Sequence, residues 1–164
     1  MKSTNSRRDF IKKASVGAGV FGLSAMGFSA KSYAKILGAN DRVRVGIVGF
    51  SNRFRGSLFP CFMDHAKAQN FEFVAVSDIW SRRRDEAYAY IKERAGIEIA
   101  KYRNNDELFP RNDVDAVIIS TADFQHALMA ADAVRQGKDV YVEKPLAETL
   151  EDAKIVRKAV EETG

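Results

Sequence analysis

Three observations predict an α/β fold, a Rossmann-like, doubly wound parallel sheet. Val43, Val45, Ile47 and Val48 form an apolar, mostly β-branched run that ends in Gly49, the pattern of a buried strand entering a glycine turn. Similar runs recur at Phe71–Ser77, Val114–Ser120 and Val140–Glu143, with helix-period segments between them. Strands that alternate with helices imply a parallel sheet and right-handed crossovers. Asp78 closes the second run, about 20 residues beyond the glycine turn, where dinucleotide-type folds place an acidic side chain.

Each element has its own local signal. Lys35–Arg42 reads as a linker, and Val43 starts the first strand. In the turn, Gly49 is the first glycine position, Ser51 the second and Phe54 the third, and Gly56 reads as a displaced third glycine. Ser57–Ala68 is the expected first helix. Ser81 is the expected cap of a second helix running to Ala95, with Ala87, Tyr88, Ile91 and Ala95 on one face. Ile99–Tyr102 is a short extended piece, and Asp106–Phe109 a brief helix closed by Pro110. Ala127–Gln136 is a helix stopped by Gly137. Thr149 and Asp152 form a capping box for a last helix, Leu150–Glu162.

Charge separates the chain into two parts. Residues 1–34 carry six basic side chains and one acidic, which leaves 20 basic against 21 acidic over the rest. The net +4 of the 164 residues therefore belongs to the leader, and no basic face argues for nucleic acid. The run Arg82–Arg84 reads as a solvated helix start. Within the leader, Ser6-Arg7-Arg8-Asp9-Phe10-Ile11-Lys12 resembles a twin-arginine export motif. The apolar stretch Ala14–Ala30 follows, and Ser32-Tyr33-Ala34 is a small–x–small cleavage site. Gly17, Gly19, Gly22 and Gly27 interrupt that stretch, which is at the short limit for a membrane span, so cleavage is favoured over anchoring. The domains expected are a signal peptide at 1–34, a linker at 35–42 and a dinucleotide-binding domain at 43–164. The product is expected to be exported to the periplasm by the twin-arginine machinery. The single Cys61 allows no internal disulfide.

Three places could carry chemistry. At the turn, Gly49, Ser51, Asn52 and Arg53 stand where a helix N-terminus would receive a phosphate, since its free N–H groups and dipole favour an anion. Asp78 would accept from the hydroxyls of an adenosine ribose and repel a 2′-phosphate, favouring NAD over NADP; the alternative is a helix-capping aspartate. Glu143-Lys144-Pro145 stands at a strand's carboxyl end, where open α/β sheets bind ligands. Lys144 there could donate to a substrate hydroxyl or transfer a proton. The bland reading is a solvated pair at a strand end. No metal site is expected.

The run VIISTADFQHALMAADAVRQGKDVYVEKPLAETLEDA resembles the glucose-fructose oxidoreductase/inositol dehydrogenase (Gfo/Idh/MocA) family, and the resemblance covers roughly Val43–Gly164. It implies that Thr121 lies beside a nicotinamide, that Lys144 assists hydride transfer at a sugar carbon, and that His126 sits near the active-site rim. Ala122 departs from the proline that often follows the threonine, and Ser51 and Gly56 depart at the glycine turn. The resemblance further implies a second α/β domain, ahead of which this chain stops, and a homo-oligomer only at full length. Three functions follow as expectations. One is an exported NAD-dependent oxidoreductase acting on a sugar or polyol. The others are an NAD-dependent glycoside hydrolase and a non-catalytic nucleotide-binding remnant.

Overall fold

A computed structural model describes residues 42–163. The expected signal peptide and the part of the expected linker before Arg42 lie outside the described residues. The elements in order are β1 (Val43–Val48), a π-helical turn (Phe54–Leu58), α1 (Phe59–Ala66), β2 (Phe71–Ser77), α2 (Ser81–Ala95) and β3 (Ala100–Tyr102). Then come α3 (Asn105–Leu108), β4 (Ala116–Ile119), a 3₁₀ turn (Asp123–Gln125), α4 (His126–Arg135), β5 (Asp139–Val142) and α5 (Leu150–Thr163). The five strands pair in parallel in the order β3-β2-β1-β4-β5. The chain runs outward from β1 to β3, then crosses back to β4, so the order reverses between β1 and β4. That switch point opens a crevice at the strands' carboxyl ends.

Both faces of the sheet are covered, which is what its continuous apolar strands require. On one face Val45, Ile47, Phe73, Val76 and Ile118 pack with Phe54, Phe59, Ala87 and Ile91 from the helical side. On the other, Val48, Ala75, Val117 and Ile119 meet Leu108, Ala130 and Ala133. The expected inner face of α2 is observed: Ala87 and Ile91 are buried, and Tyr88 and Ala95 pack against the same cluster. At the opposite end of the sheet from the crevice, Asp115 ties β4 to β1. Its carboxylate accepts from Arg44 Nε at 2.9 Å, Nη2 at 2.6 Å and the Arg44 backbone N–H at 2.8 Å.

Two expectations are corrected. Gly56 is not a displaced third glycine: it is exposed, and a Cβ added there would meet nothing within 4 Å. A third glycine exists to let helix and strand approach closely, and no such approach occurs at Gly56. Phe54, at the third position, instead buries its ring completely, 5.6 Å from Phe73 and edge-on to it. Burying that ring is worth about 1.5–3 kcal/mol, and the helical backbone accordingly starts at Asn52, ahead of the expected Ser57. Ser81 is the first residue of α2 and not its cap; Trp80 occupies the cap without a side-chain bond. The turn is held by Asp78, whose Oδ1 accepts from the Trp80 N–H at 2.9 Å. The helix ends at Gly137 and the cap at Thr149 are as expected. Gly137 has φ +70° and donates to the Val134 carbonyl at 2.8 Å, and Thr149 Oγ1 accepts from the Asp152 N–H at 3.1 Å.

Candidate active site

The crevice floor is built around Gly49. Its φ of +82° is one that side chains resist, and a Cβ added there would lie 2.6 Å from Thr121 Cγ2. Glycine thus lets the end of β1 lie directly against the segment following β4. Hydrogen bonds fix that approach. The Gly49 N–H donates to the Ser77 carbonyl at 2.8 Å, and Ser120 Oγ donates to the Gly49 carbonyl at 2.9 Å. Ser51 then starts the helix, its Oγ accepting from the Phe54 N–H at 3.1 Å and its carbonyl from the Arg55 N–H at 3.0 Å. The Asn52 and Arg53 amides lie in that first turn, whose N–H groups have no intrahelical partner.

Asp78 stands across the turn at the end of β2. Its Oδ2 accepts from the Phe50 N–H at 3.0 Å and its Oδ1 from the Trp80 N–H. The carboxylate therefore clamps the glycine turn to the start of α2, and each oxygen keeps one further lone pair. A cavity of about 500 Å³ opens beside it, lined among others by Gly49, Ser51, Asp78, Trp80, Arg83 and Thr121. Arg83 and not Arg82 lines this wall, although both guanidinium groups lie over Trp80 and pair with Glu86.

A second cavity of about 330 Å³ is lined by Ser51, Arg53, Ser120, Thr121, Asp123, His126, Glu143 and Lys144. It shares Ser51, Ser120 and Thr121 with the first, so the two meet over the switch point. Glu143 is buried, and its carboxylate lies 3.2 Å from Arg53 Nε. That pair ties the glycine turn to β5, and a buried charge requires such a partner. Lys144 is exposed on the cavity wall and joined to Pro145 by a cis peptide bond. His126 is buried to 1% exposure, with Nδ1 at 2.8 Å from the Pro145 carbonyl oxygen and Nε2 at 3.3 Å from that of Thr121.

Eight of the nine residues expected from sequence thus line the two cavities. Asn52 does not; its exposed side chain accepts from Arg55 and Arg83 at 3.5 Å each. Sequence reasoning missed Trp80, Arg83, Ser120 and Asp123. Ser120 carried a signal, as a small polar residue closing an apolar strand. Arg83 carried none within its run of three arginines.

The residues present fit a dinucleotide. The helix-start amides suit a pyrophosphate, the Asp78 carboxylate suits a ribose diol, and the joined cavities give it length. Comparison with known proteins agrees. The family model described as an oxidoreductase family, NAD-binding Rossmann fold (Gfo/Idh/MocA), matches residues 43–164. A glycosyl hydrolase family 109 protein of Solibacter usitatus is 33% identical over 154 residues, covering 90% of this chain and 34% of that protein. An alpha-N-acetylgalactosaminidase of Shewanella oneidensis is 36% identical over 114 residues, covering 67% of this chain and 24% of the relative. Among solved structures, the WlbA dehydrogenase of Chromobacterium violaceum, in complex with NADH and UDP-GlcNAcA, is similar at TM-score 0.64 and 25% identity, over 74% of this chain and 33% of that one. The 3-ketoreductase KijD10 of Actinomadura kijaniata, in complex with NADP and TDP-benzene, is similar at TM-score 0.62 and 26% identity, over 74% of this chain and 35% of that one. The chain therefore covers between about a quarter and a third of the length of these relatives. With the glycine turn, the switch-point crevice and this match in agreement, the chain belongs to the Gfo/Idh/MocA oxidoreductase family and carries its NAD-binding Rossmann domain.

Proposed function

We propose that this domain is the cofactor-binding part of an exported oxidoreductase acting on a sugar or polyol, with Lys144 as acid/base. The observation that carries the reading is the joining of the two cavities at Ser51, Ser120 and Thr121. It puts a ribose-type carboxylate, Asp78, at one end of a crevice and an exposed lysine at the other. Bound NAD would supply a hydride acceptor at its nicotinamide. Asp78 would take the adenosine ribose hydroxyls on its remaining lone pairs and disfavour a 2′-phosphate. The helix-start amides of Asn52 and Arg53 would face the pyrophosphate, Thr121 would border the nicotinamide, and Glu143 would complete the wall. Lys144 would accept the proton of the substrate hydroxyl as the adjacent carbon gives up hydride, and return it in the reverse direction. WlbA and KijD10, a dehydrogenase and a ketoreductase crystallised with nucleotide-linked ligands, support this class.

A second reading, NAD-dependent glycoside hydrolysis, is favoured by the names of the relatives from Solibacter and Shewanella. In it Lys144 would serve the same proton, and no net NADH would accumulate. Both readings are tested in a chimera that joins this chain to the remaining length of the Solibacter relative. Lys144→Ala should cut turnover by about 10²–10⁴-fold, the usual scale of acid–base catalysis, while NAD affinity measured by calorimetry changes little. Turnover that survives intact makes Lys144 a strand-end lysine. Net NADH selects the dehydrogenase reading, and sugar release without it selects the glycosidase. Neither product would be expected of a non-catalytic remnant.

A further inference from the structure

Four polar side chains are buried among the described residues: Ser77, Ser120, His126 and Glu143. All four border the crevice end of the sheet, and each ties one crevice segment to another. Ser77 Oγ donates to Asn105 Oδ1 at 2.8 Å, Ser120 holds the Gly49 carbonyl, and Glu143 holds Arg53. His126, at the head of α4, reaches the loop after β5. Lys144 has no ion pair or hydrogen bond of its own among the described residues, so its place depends on what fixes its two neighbours. Before it, the Glu143 N–H donates to the Ile119 carbonyl at 3.0 Å and the Glu143 carboxylate meets Arg53. After it, the one polar contact is that of His126 with the Pro145 carbonyl.

Both groups facing the imidazole are acceptors, and a neutral imidazole has one N–H. With the proton on Nε2, a bare nitrogen lone pair would oppose the Pro145 oxygen at 2.8 Å. With the proton on Nδ1, that contact is a good hydrogen bond, and the repulsive pair is the longer one, 3.3 Å to Thr121. We propose that His126 is a positioning residue and not an acid/base: its Nδ1–H, donated to Pro145, fixes the Lys144 backbone above Thr121. The importance of that position for chemistry rests on the reading of Lys144 given above; the brace does not.

The test uses the 164-residue chain. Nitrogen NMR of the wild type should show a proton on Nδ1 of His126, and a bare Nδ1 overturns the proposal without any variant. His126→Asn places an amide N–H near the Nδ1 position, and His126→Leu removes the donor. Exchange of the Glu143 amide should quicken about tenfold or more in the leucine variant and return close to wild type in the asparagine variant, as local opening does when a tie is lost and restored. Equal protection in all three proteins overturns the brace. Equal loss in both variants makes His126 a packing residue and overturns it too. A wild type that fails to bind NAD in calorimetry removes the functional reading, and the NMR results still decide the brace.

Discussion

At the residue scale the site depends on two positions with little freedom. Gly49→Ala adds a Cβ where φ is +82° and Thr121 Cγ2 would be 2.6 Å away. A left-handed alanine costs about 1–2 kcal/mol, and overpacking typically adds about 1–3 kcal/mol. We expect Gly49→Ala to destabilise the chain by about 2–5 kcal/mol in urea melts. Adding Thr121→Ser removes Cγ2 and should recover part of that loss; strict additivity would disprove the contact. Asp78 is constrained differently, because its carboxylate serves the fold and, in our reading, the cofactor. Asp78→Asn keeps one oxygen acceptor for the turn but loses the charge. With charge-assisted bonds worth about 1.5–3 kcal/mol, NAD affinity should fall at least about tenfold and the gap to NADP should narrow. Tighter NADP than NAD binding by the wild type would reverse the assigned preference. Asp78 was legible from its place after an apolar strand, yet its bond to the Phe50 amide was not, since that bond depends on the path of the turn. Arg83 was hidden for a related reason: three successive arginines point in three directions around a helix, and sequence alone does not choose among them.

At the element scale the strands and most helices were legible because their signals are local. Phe71–Ser77 appears with the expected bounds and α2 ends at Ala95 as expected, the first apolar and bounded by turn residues, the second periodic and ended by Gly96 at φ +68°. The first helix was misread by several residues because Phe54 is pulled into the core, a tertiary demand that outweighs the turn signal of Gly56. The Arg44–Asp115 tie between β1 and β4 was equally invisible. Its hydrogen bond from Arg44, first, and the Arg44 charge hold the Asp115 carboxyl below the ordinary carboxylate range. A depressed folded-state value means that the stabilisation is present above the unfolded value, about 3.9, and is lost as pH falls through the folded value. Asp115→Asn should therefore lower the melting temperature at neutral pH, and the difference from wild type should shrink as the pH drops below about 4. The pair is partly exposed, with 36% and 38% side-chain accessibility, so solvent screening keeps the effect small, as for other surface pairs. A difference that persists undiminished at low pH would contradict the assignment.

At the scale of the whole molecule, the order β3-β2-β1-β4-β5 gathers residues from widely separated stretches at one edge. The alternation of strands and helices made the parallel sheet legible, and the glycine turn with Asp78 located its ligand side. The pairing of Arg53 with Glu143 had no sequence signal, because each looks like an ordinary surface charge until the sheet is assembled. The expected leader is open to a direct test. With Arg7 and Arg8 read as the export signal, changing both to lysine should retain the product in the cytoplasm, as judged by cell fractionation. Undiminished periplasmic recovery would defeat that reading.

The clamp at Asp78 has a consequence in time as well as in space. The contact between Phe50 and Asp78 spans 28 residues, whereas that between Gly49 and Ser120 spans 71. Lys144 lies later still, bracketed by segments reaching back to the glycine turn. Short loops close at less entropic cost than long ones, and contacts distant in sequence form slowly. A nascent chain emerging from the ribosome therefore exposes the carboxylate clamp well before β5 has appeared. On the roles proposed for Asp78 and Lys144, the nucleotide grip would belong to the early chain and the lysine to the late one, and the crevice would form from its adenosine end toward its reactive end.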